Sequence, residues 1–75
     1  MSEIVTSIAL LKKVGNTASG NPKYRMLTRH GVYETELDAQ VNYTLRERWT
    51  ERPRPLVRLT FNDAGHVIGA EEITP

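Results

Sequence analysis

The sequence predicts a mainly β domain of the α+β class, a small five-stranded, partly open barrel or sheet with one helix. Three patterns predict it. Several short segments alternate apolar and polar side chains, glycine-containing turns separate pairs of these segments, and one stretch repeats apolar residues at every fourth position. With 75 residues, the chain is expected to form a single small domain, 1–75, around one core.

The first strand is expected in residues 3–14, and residues 15–22 are expected to form a loop. Four residues of the strand share one face at period two: Ile4, Thr6, Ile8 and Leu10. A helical stripe through Ile4, Ile8 and Leu11 also fits, but the β-branched residues favour a strand. The loop is rich in glycine, asparagine and serine, which are typical of turns.

A hairpin is predicted next. Side chains alternate in residues 23–28 and again in residues 32–37, and Arg29-His30-Gly31 lies between the two segments. Because glycine adopts positive φ without steric cost, a tight turn is predicted at His30-Gly31. The two faces are not cleanly divided into apolar and polar, so the inward positions are not assigned.

A helix is predicted from Ala39 to near Trp49. Asp38 is a suitable N-cap, and apolar residues recur every four positions around and after it: Leu37, Val41, Leu45 and Trp49. A period-two pattern over residues 39–45 fits a strand almost as well, so that alternative stays open. Pro53 and Pro55 end the element because proline cannot donate a backbone hydrogen bond.

A second hairpin is predicted at the C-terminal end of the sequence. Leu56–Phe61 alternates as a strand, residues 62–65 form a turn with Gly65 in the left-handed conformation, and residues 66–73 return as the last strand. The order is therefore β-β-β-α-β-β. It suits a barrel of the oligonucleotide-binding type with the helix at one end, or alternatively an open sheet with the helix on one face.

Composition excludes several classes of function. Ten Lys and Arg against nine Asp and Glu give a net charge of +1, so no strong field attracts nucleic acid or membrane. The absence of cysteine excludes disulfides, thiolate metal sites and thiol catalysis. The longest apolar run, residues 8–11, is far shorter than the ~20 residues of a membrane span. A cytoplasmic protein without membrane contact is expected.

The residue pattern does not predict catalysis. His30 and His66 both lie beside predicted turns, without a serine and carboxylate at informative spacing. The only conceivable metal ligands are these histidines and Asp63. The glycines at 15 and 20 lack the lysine and hydroxyl of a phosphate-binding loop. We therefore expect no enzymatic activity, no metal and no cofactor.

Arginine is concentrated in residues 46–58, where five arginines and two glutamates give a local charge of +3. Trp49 lies inside this cluster, and tryptophan with arginine is typical of binding hot spots. The expected partner-binding residues of this region are Arg48, Trp49, Arg52, Arg54 and Arg58. The alternative for Trp49 is that it closes the buried stripe of the helix.

Tyrosines supply a second candidate surface. If Tyr24 and Tyr33 are neighbours across the first hairpin, they form a platform on which bases stack, with Tyr43 as a third member. Cross-strand tyrosines also stabilise sheets without any ligand. Tyr24 and Tyr33 are included among the expected partner-binding residues.

Several short motifs resemble small proteins of actinobacterial phages (mycobacteriophage-like). A Gly-Asn-Pro-basic-Tyr element occupies residues 20–24, Gly-x-Tyr-x-Thr residues 31–35, and Asp-Ala-x-Val-Asn-Tyr residues 38–43. The closing hairpin, residues 57–60 and 65–68, is also similar to theirs. The resemblance covers most of residues 13–68. It implies a non-enzymatic accessory role inside a bacterial host, with a host or phage macromolecule as the partner.

The expected function is that of a protein–protein interaction module that binds a host or phage protein. A homodimer through an edge strand is also expected, because exposed sheet edges tend to pair. The alternative is weak binding of single-stranded nucleic acid by the basic end and the tyrosines. Salt distinguishes the two functions, since phosphate contacts weaken steeply with salt and a protein hot spot does not.

Overall fold

The computed structural model describes residues 2–16, 22–37 and 39–73. Within these residues, six strands form two antiparallel three-stranded sheets, with the orders β1-β5-β6 and β2-β3-β4. The prediction of a mainly β domain is confirmed. The elements are β1 (Ser2–Thr6), β2 (Ile8–Asn16), β3 (Pro22–Thr28), β4 (Gly31–Glu34), α1 (Val41–Thr44), a 3-10 turn (Glu47–Thr50), β5 (Leu56–Phe61) and β6 (Val67–Ile73).

The predicted first strand is two strands that belong to different sheets. Only Ser7 separates them; β1 pairs with β5, whereas β2 pairs with β3. Thr6 and Ile8, on either side of Ser7, are both buried. The chain therefore keeps side chains in the interior at the point where its neighbouring strand changes from β5 to β3. β2 also continues to Asn16, two residues into the predicted loop. Residues 17–21 of that loop lie outside the described residues.

A second link between the sheets lies after β4. Thr35 forms a parallel bridge with Val67, and the backbone N–H of Glu36 donates to the Val67 carbonyl at 2.9 Å. The Thr35 N–H donates to the Tyr24 carbonyl at 3.0 Å, which holds the bridge against β3. Within the described residues the sheets do not close into a barrel. The predicted order of five strands is not confirmed, because the first strand divides at Ser7.

The helix predicted over residues 39–49 is wrong in its extent. α1 is a single turn, Leu45 and Arg46 are extended, and a separate 3-10 turn follows. Asparagine, tyrosine and threonine are weak helix formers, and they make up most of α1. The predicted cap, Asp38, lies outside the described residues, and Gln40 at the N-cap makes no side-chain capping bond to any described residue. Both α1 and the 3-10 turn still contribute a side chain to the core.

Both hairpins form with glycine at a positive φ. β3 and β4 connect through Arg29 and His30, and Gly31, with φ of +132°, begins β4, so the turn lies one residue earlier than predicted. In the β5–β6 turn, Gly65 has φ of +82°, as predicted. The Asn62 side-chain oxygen accepts from the backbone N–H groups of Ala64 and His66, each at 3.0 Å. This asparagine therefore fixes the turn locally.

The core lies between the two sheets and is completed by the segment that joins them. β2 and β3 each contribute one fully buried aliphatic side chain, β5 and β6 contribute four buried side chains, and the connecting segment contributes two. These core residues are Ile8, Met26, Val41, Trp49, Val57, Leu59, Phe61 and Val67. Because Trp49 is part of the core, the arginine-rich segment that contains it packs directly against the core.

Candidate functional site

The chain between the 3-10 turn and β5 forms a groove, which we call the arginine groove. It has a volume of about 420 Å³. One acidic residue from the end of β6 forms part of its wall, and the 48–55 segment provides the remainder. Its lining residues are Arg48, Trp49, Glu51, Arg52, Pro53, Arg54, Pro55 and Glu72.

Backbone and packing hold the arginine groove in shape. Trp49 is only 3% exposed and belongs to the core, so the groove rests on the folded interior. The Arg54 Nε donates to the Thr50 carbonyl at 3.2 Å and ties the segment back to the 3-10 turn. Pro53 follows a cis peptide bond, and Pro55 precedes β5. Because proline fixes φ, the segment presents its arginines on a restricted backbone.

The charges of the arginine groove are mixed and only partly paired. Arg48 forms an ion pair with Glu72, with 3.3 Å between Nη2 and Oε2. Arg52 is exposed, and none of the ion pairs in the part of the chain that the structure describes involves it. Three arginines and two glutamates leave the lining with a net charge of +1. The unpaired guanidinium of Arg52 is therefore available for a carboxylate or phosphate.

Of the two roles predicted for Trp49, partner contact and core packing, the structure shows core packing. Its indole Nε1 is buried and has no hydrogen-bond partner among the described residues. An unsatisfied buried donor costs roughly 1–3 kcal/mol, and the apolar burial of the ring offsets this cost. Trp49 is therefore buried beneath the groove, as the alternative prediction stated, but it lies in a 3-10 turn and not at the end of a long helix.

Arg58 lies outside the arginine groove. It occupies the outer face of β5, between the buried Val57 and Leu59, and it pairs with Glu71 directly across on β6 at 3.6 Å. The alternation of a strand sends its side chain away from the core on which the groove rests. The structure therefore brings together Arg48, Arg52 and Arg54 above Trp49, but not Arg58.

The two tyrosines face inward. Tyr24 and Tyr33 lie on the face of β3 and β4 that carries the buried Met26, and both are half-buried. The Tyr33 ring packs on Phe61 with 4.8 Å between ring centroids, and its hydroxyl donates to the His30 carbonyl at 3.3 Å. This arrangement stabilises the sheet and leaves the tyrosine faces without a common outward platform. Tyr43 lies apart from them, on α1.

A polar cluster that the sequence pattern did not predict joins the two sheets near the Thr35–Val67 bridge. Glu36 Oε2 lies 3.1 Å from His66 Nδ1 and also accepts from the side-chain amide of Asn62. The backbone N–H of Leu37 donates to Glu36 Oε1 at 2.8 Å. This backbone bond first, and then His66 and Asn62, lower the pKa of Glu36 below its ordinary value. The cluster clamps the β5–β6 turn onto the chain after β4.

The polar cluster of Glu36, Asn62 and His66 contains one carboxylate, that of Glu36. Among the residues that the structure describes, no three His, Asp or Glu side chains are grouped so that they could hold a metal ion. The set of His30, His66 and Asp63 considered from the sequence is therefore not assembled. His30 lies in the β3–β4 turn, whereas His66 follows the β5–β6 turn.

Comparison with protein-family models, with curated proteins and with solved structures finds no match to this chain. The described residues define a small β-rich fold that carries an open, arginine-lined groove. No helix within residues 2–16, 22–37 and 39–73 is long and apolar enough to span a bilayer.

Proposed function

We propose that this protein is a non-enzymatic accessory protein that acts as a protein–protein interaction module, with the arginine groove as its binding site. One observation carries the proposal. Three arginines that are close in sequence converge around two prolines on a groove of about 420 Å³, directly above a buried tryptophan. The restricted backbone of this segment loses little entropy on binding, and the packed Trp49 beneath it keeps the groove in shape.

The partner chemistry follows from the unpaired charge and the apolar walls. Arg52 favours a carboxylate, which a guanidinium binds with two parallel hydrogen bonds. Pro53 and Pro55 offer apolar surface but no backbone donor, so the rest of the ligand gains mainly from packing. We infer an extended segment of a partner protein that carries one acidic side chain beside a small apolar one.

Three observations favour a protein partner over single-stranded nucleic acid. Glu51 and Glu72 line the groove and would repel successive phosphates. Tyr24 and Tyr33 face inward, so they do not supply the stacking surface on which that alternative relied. A chain with a net charge of +1 also lacks the positive field that draws a polyanion.

The biological setting is proposed from the sequence resemblance. Similarity to small proteins of actinobacterial phages supports an accessory role in the cytoplasm of a bacterial host, with a host or phage protein as the partner. Self-association through an edge strand also remains a proposal. Its support is the sheet topology, which leaves β1 and β6 at the edges of one sheet and β2 and β4 at the edges of the other.

Affinity capture from nuclease-treated bacterial lysate tests the proposal. Arg52→Ser and Arg58→Ser remove the same charge, but only Arg52 lines the groove, so Arg58→Ser is the matched control. We expect Arg52→Ser to weaken capture of a protein about fivefold or more, equivalent to ~1 kcal/mol, while Arg58→Ser retains it. Equal capture by wild type and both variants would place the binding surface elsewhere.

Salt dependence and nuclease address the alternative. If the ligand is nucleic acid, nuclease treatment abolishes capture, and affinity falls steeply between about 50 and 200 mM salt. A protein ligand held by one guanidinium and apolar packing is expected to tolerate both treatments. Loss of all capture after nuclease would therefore contradict the proposed function.

A further inference from the structure

The outer face of the β2-β3-β4 sheet carries an apolar row. Leu10, Leu27 and Val32 lie side by side across the three strands, since Leu10 pairs with Leu27 and Leu27 with Val32. They are 56%, 43% and 58% exposed, respectively. Strands are ~4.8 Å apart, so the row spans the full width of the sheet. A solvent-facing side of an antiparallel sheet is ordinarily polar, and a continuous apolar row indicates an interaction surface.

The next row along the same face is charged in a defined order. Lys12, Arg25 and Glu34 are paired in register across β2, β3 and β4. Glu34 contacts Arg25 at 2.7 Å and Lys23 at 3.4 Å within the same chain. Charge therefore runs from positive on β2 to negative on β4. When the face is turned over, the positive end of the row meets the negative end of a second copy, and Arg25 at the centre meets its own copy.

We propose that this face is a self-association surface, on which two copies of the chain pack face to face about a two-fold axis parallel to β3. Such an axis lays β2 of one copy over β4 of the other. The apolar rows then meet in opposite order, with Leu10 over Val32 of the second copy and Leu27 over Leu27. The charged rows also meet in opposite order, which places Lys12 over Glu34 at two equivalent positions and Arg25 over Arg25 of the second copy at the axis. Two attractive contacts therefore accompany one repulsive contact.

Charge favours a second copy over an anionic lipid surface as the occupant. An anionic lipid surface would favour a row of cations only, whereas Glu34 lies within this row. Three apolar side chains supply less than the ~800 Å² per partner of a standard interface, so the dimer is expected to be weak. None of the residues of this face lines the arginine groove, and the contact uses a sheet face instead of an edge strand.

Sedimentation velocity over a range of concentrations tests the proposal. The wild type is expected to show a monomer–dimer equilibrium. Lys12→Glu and Glu34→Lys each place like charges at both equivalent contacts, so each variant alone should raise the dissociation constant about tenfold or more. A one-to-one mixture of the two variants places opposite charges at both contacts and should regain the wild-type dissociation constant.

Controls separate this contact from loss of folding and from other modes of association. Leu27→Lys should abolish the dimer, whereas Leu56→Lys, at a residue 52% exposed on the other sheet, should not. Circular dichroism establishes that each variant is folded. Glu34→Lys loses the ion pairs of Glu34 with Lys23 and Arg25. If that variant unfolds, Lys12→Glu and the two leucine variants still show whether this face forms the dimer. A monomer at every concentration, or a dimer that Leu27→Lys leaves intact, would overturn the proposal.

Discussion

Replacement of Trp49 by alanine should remove a large part of the stability of this domain. Trp49 is 3% exposed and contacts the core beneath the arginine groove. Truncation of a buried large aromatic side chain to alanine costs about 3–5 kcal/mol. A chain of 75 residues has a total stability of roughly 4–11 kcal/mol. The variant is therefore expected to lie close to, or beyond, the limit of folding.

Trp49→Phe separates the two contributions of this side chain. Phenylalanine keeps most of the apolar ring but removes the indole N–H, which has no partner among the described residues. The smaller ring loses packing, whereas removal of an unsatisfied donor recovers part of its roughly 1–3 kcal/mol cost. We expect the net loss to be about 1 kcal/mol, much smaller than that of the alanine variant.

Urea unfolding followed by far-ultraviolet circular dichroism measures these differences. Leu56→Ala is the control, because Leu56 is an exposed aliphatic residue on β5 and should change stability little. If Trp49→Ala unfolds with a free energy within ~1 kcal/mol of the wild type, Trp49 is not a core residue. The groove would then not rest on a buried Trp49.

Three further perturbations follow from individual contacts. Gly65→Ala should lower the melting temperature by about 4–8 °C, because a Cβ at φ of +82° costs ~1 kcal/mol even though no atom of the described residues would lie within 4 Å of it. Gly65→Asn should lower the melting temperature less, because asparagine tolerates the left-handed conformation better than alanine. Equal melting temperatures for the two variants would contradict this. Glu36→Gln should reduce the loss of thermal stability that the wild type shows in acid. The pKa of Glu36 is lower in the folded state than in the unfolded state. The stability that this carboxylate contributes is therefore complete above the unfolded pKa and is lost as the pH falls through the folded pKa. Parallel pH profiles of melting temperature for variant and wild type would exclude this contribution. In urea titrations Arg52→Ser should leave stability within ~0.5 kcal/mol, whereas Arg54→Ser should cost ~1 kcal/mol through its bond to Thr50; the reverse order would refute the assignment.

The hairpins could be predicted because they depend on neighbouring residues. In β5, alternation separates the buried Val57 and Leu59 from the half-exposed Arg58, as the sequence pattern indicates. Gly65 supplies the positive φ that a short turn requires, and this requirement is readable from four residues. Local steric rules are therefore sufficient to predict the β5–β6 hairpin.

The division into two sheets could not be predicted from periodicity. β1 and β2 share one period-two pattern, and nothing in that pattern states that the strand changes partners at Ser7. The length of the helix could not be predicted for a similar reason. Apolar residues at every fourth position are compatible with one continuous helix. Val41 and Trp49 instead reach the core from one helical turn and one 3-10 turn, with extended backbone at Leu45 between them.

The candidate site was predicted in part. Arginine density in the sequence indicated the segment that forms the groove, because Arg48, Arg52 and Arg54 are close along the chain. Arg58 could have been excluded by its position between two buried residues of a strand. The contact between Glu36 and His66 joins residues 30 positions apart and depends on the tertiary fold, so no local pattern predicts it.

Site-specific photo-crosslinking tests the central claim, that the arginine groove contacts a protein partner, most directly. A photoreactive amino acid replaces Glu51 in one variant and Arg58 in another, and each is irradiated in nuclease-treated bacterial lysate. Glu51 is exposed and lines the groove beside Arg52, whereas Arg58 lies on the outer face of β5. We expect a discrete protein adduct at position 51, heavier than a dimer of this chain, and none at position 58. The same adduct at both positions, or adducts at position 58 alone, would contradict the claim.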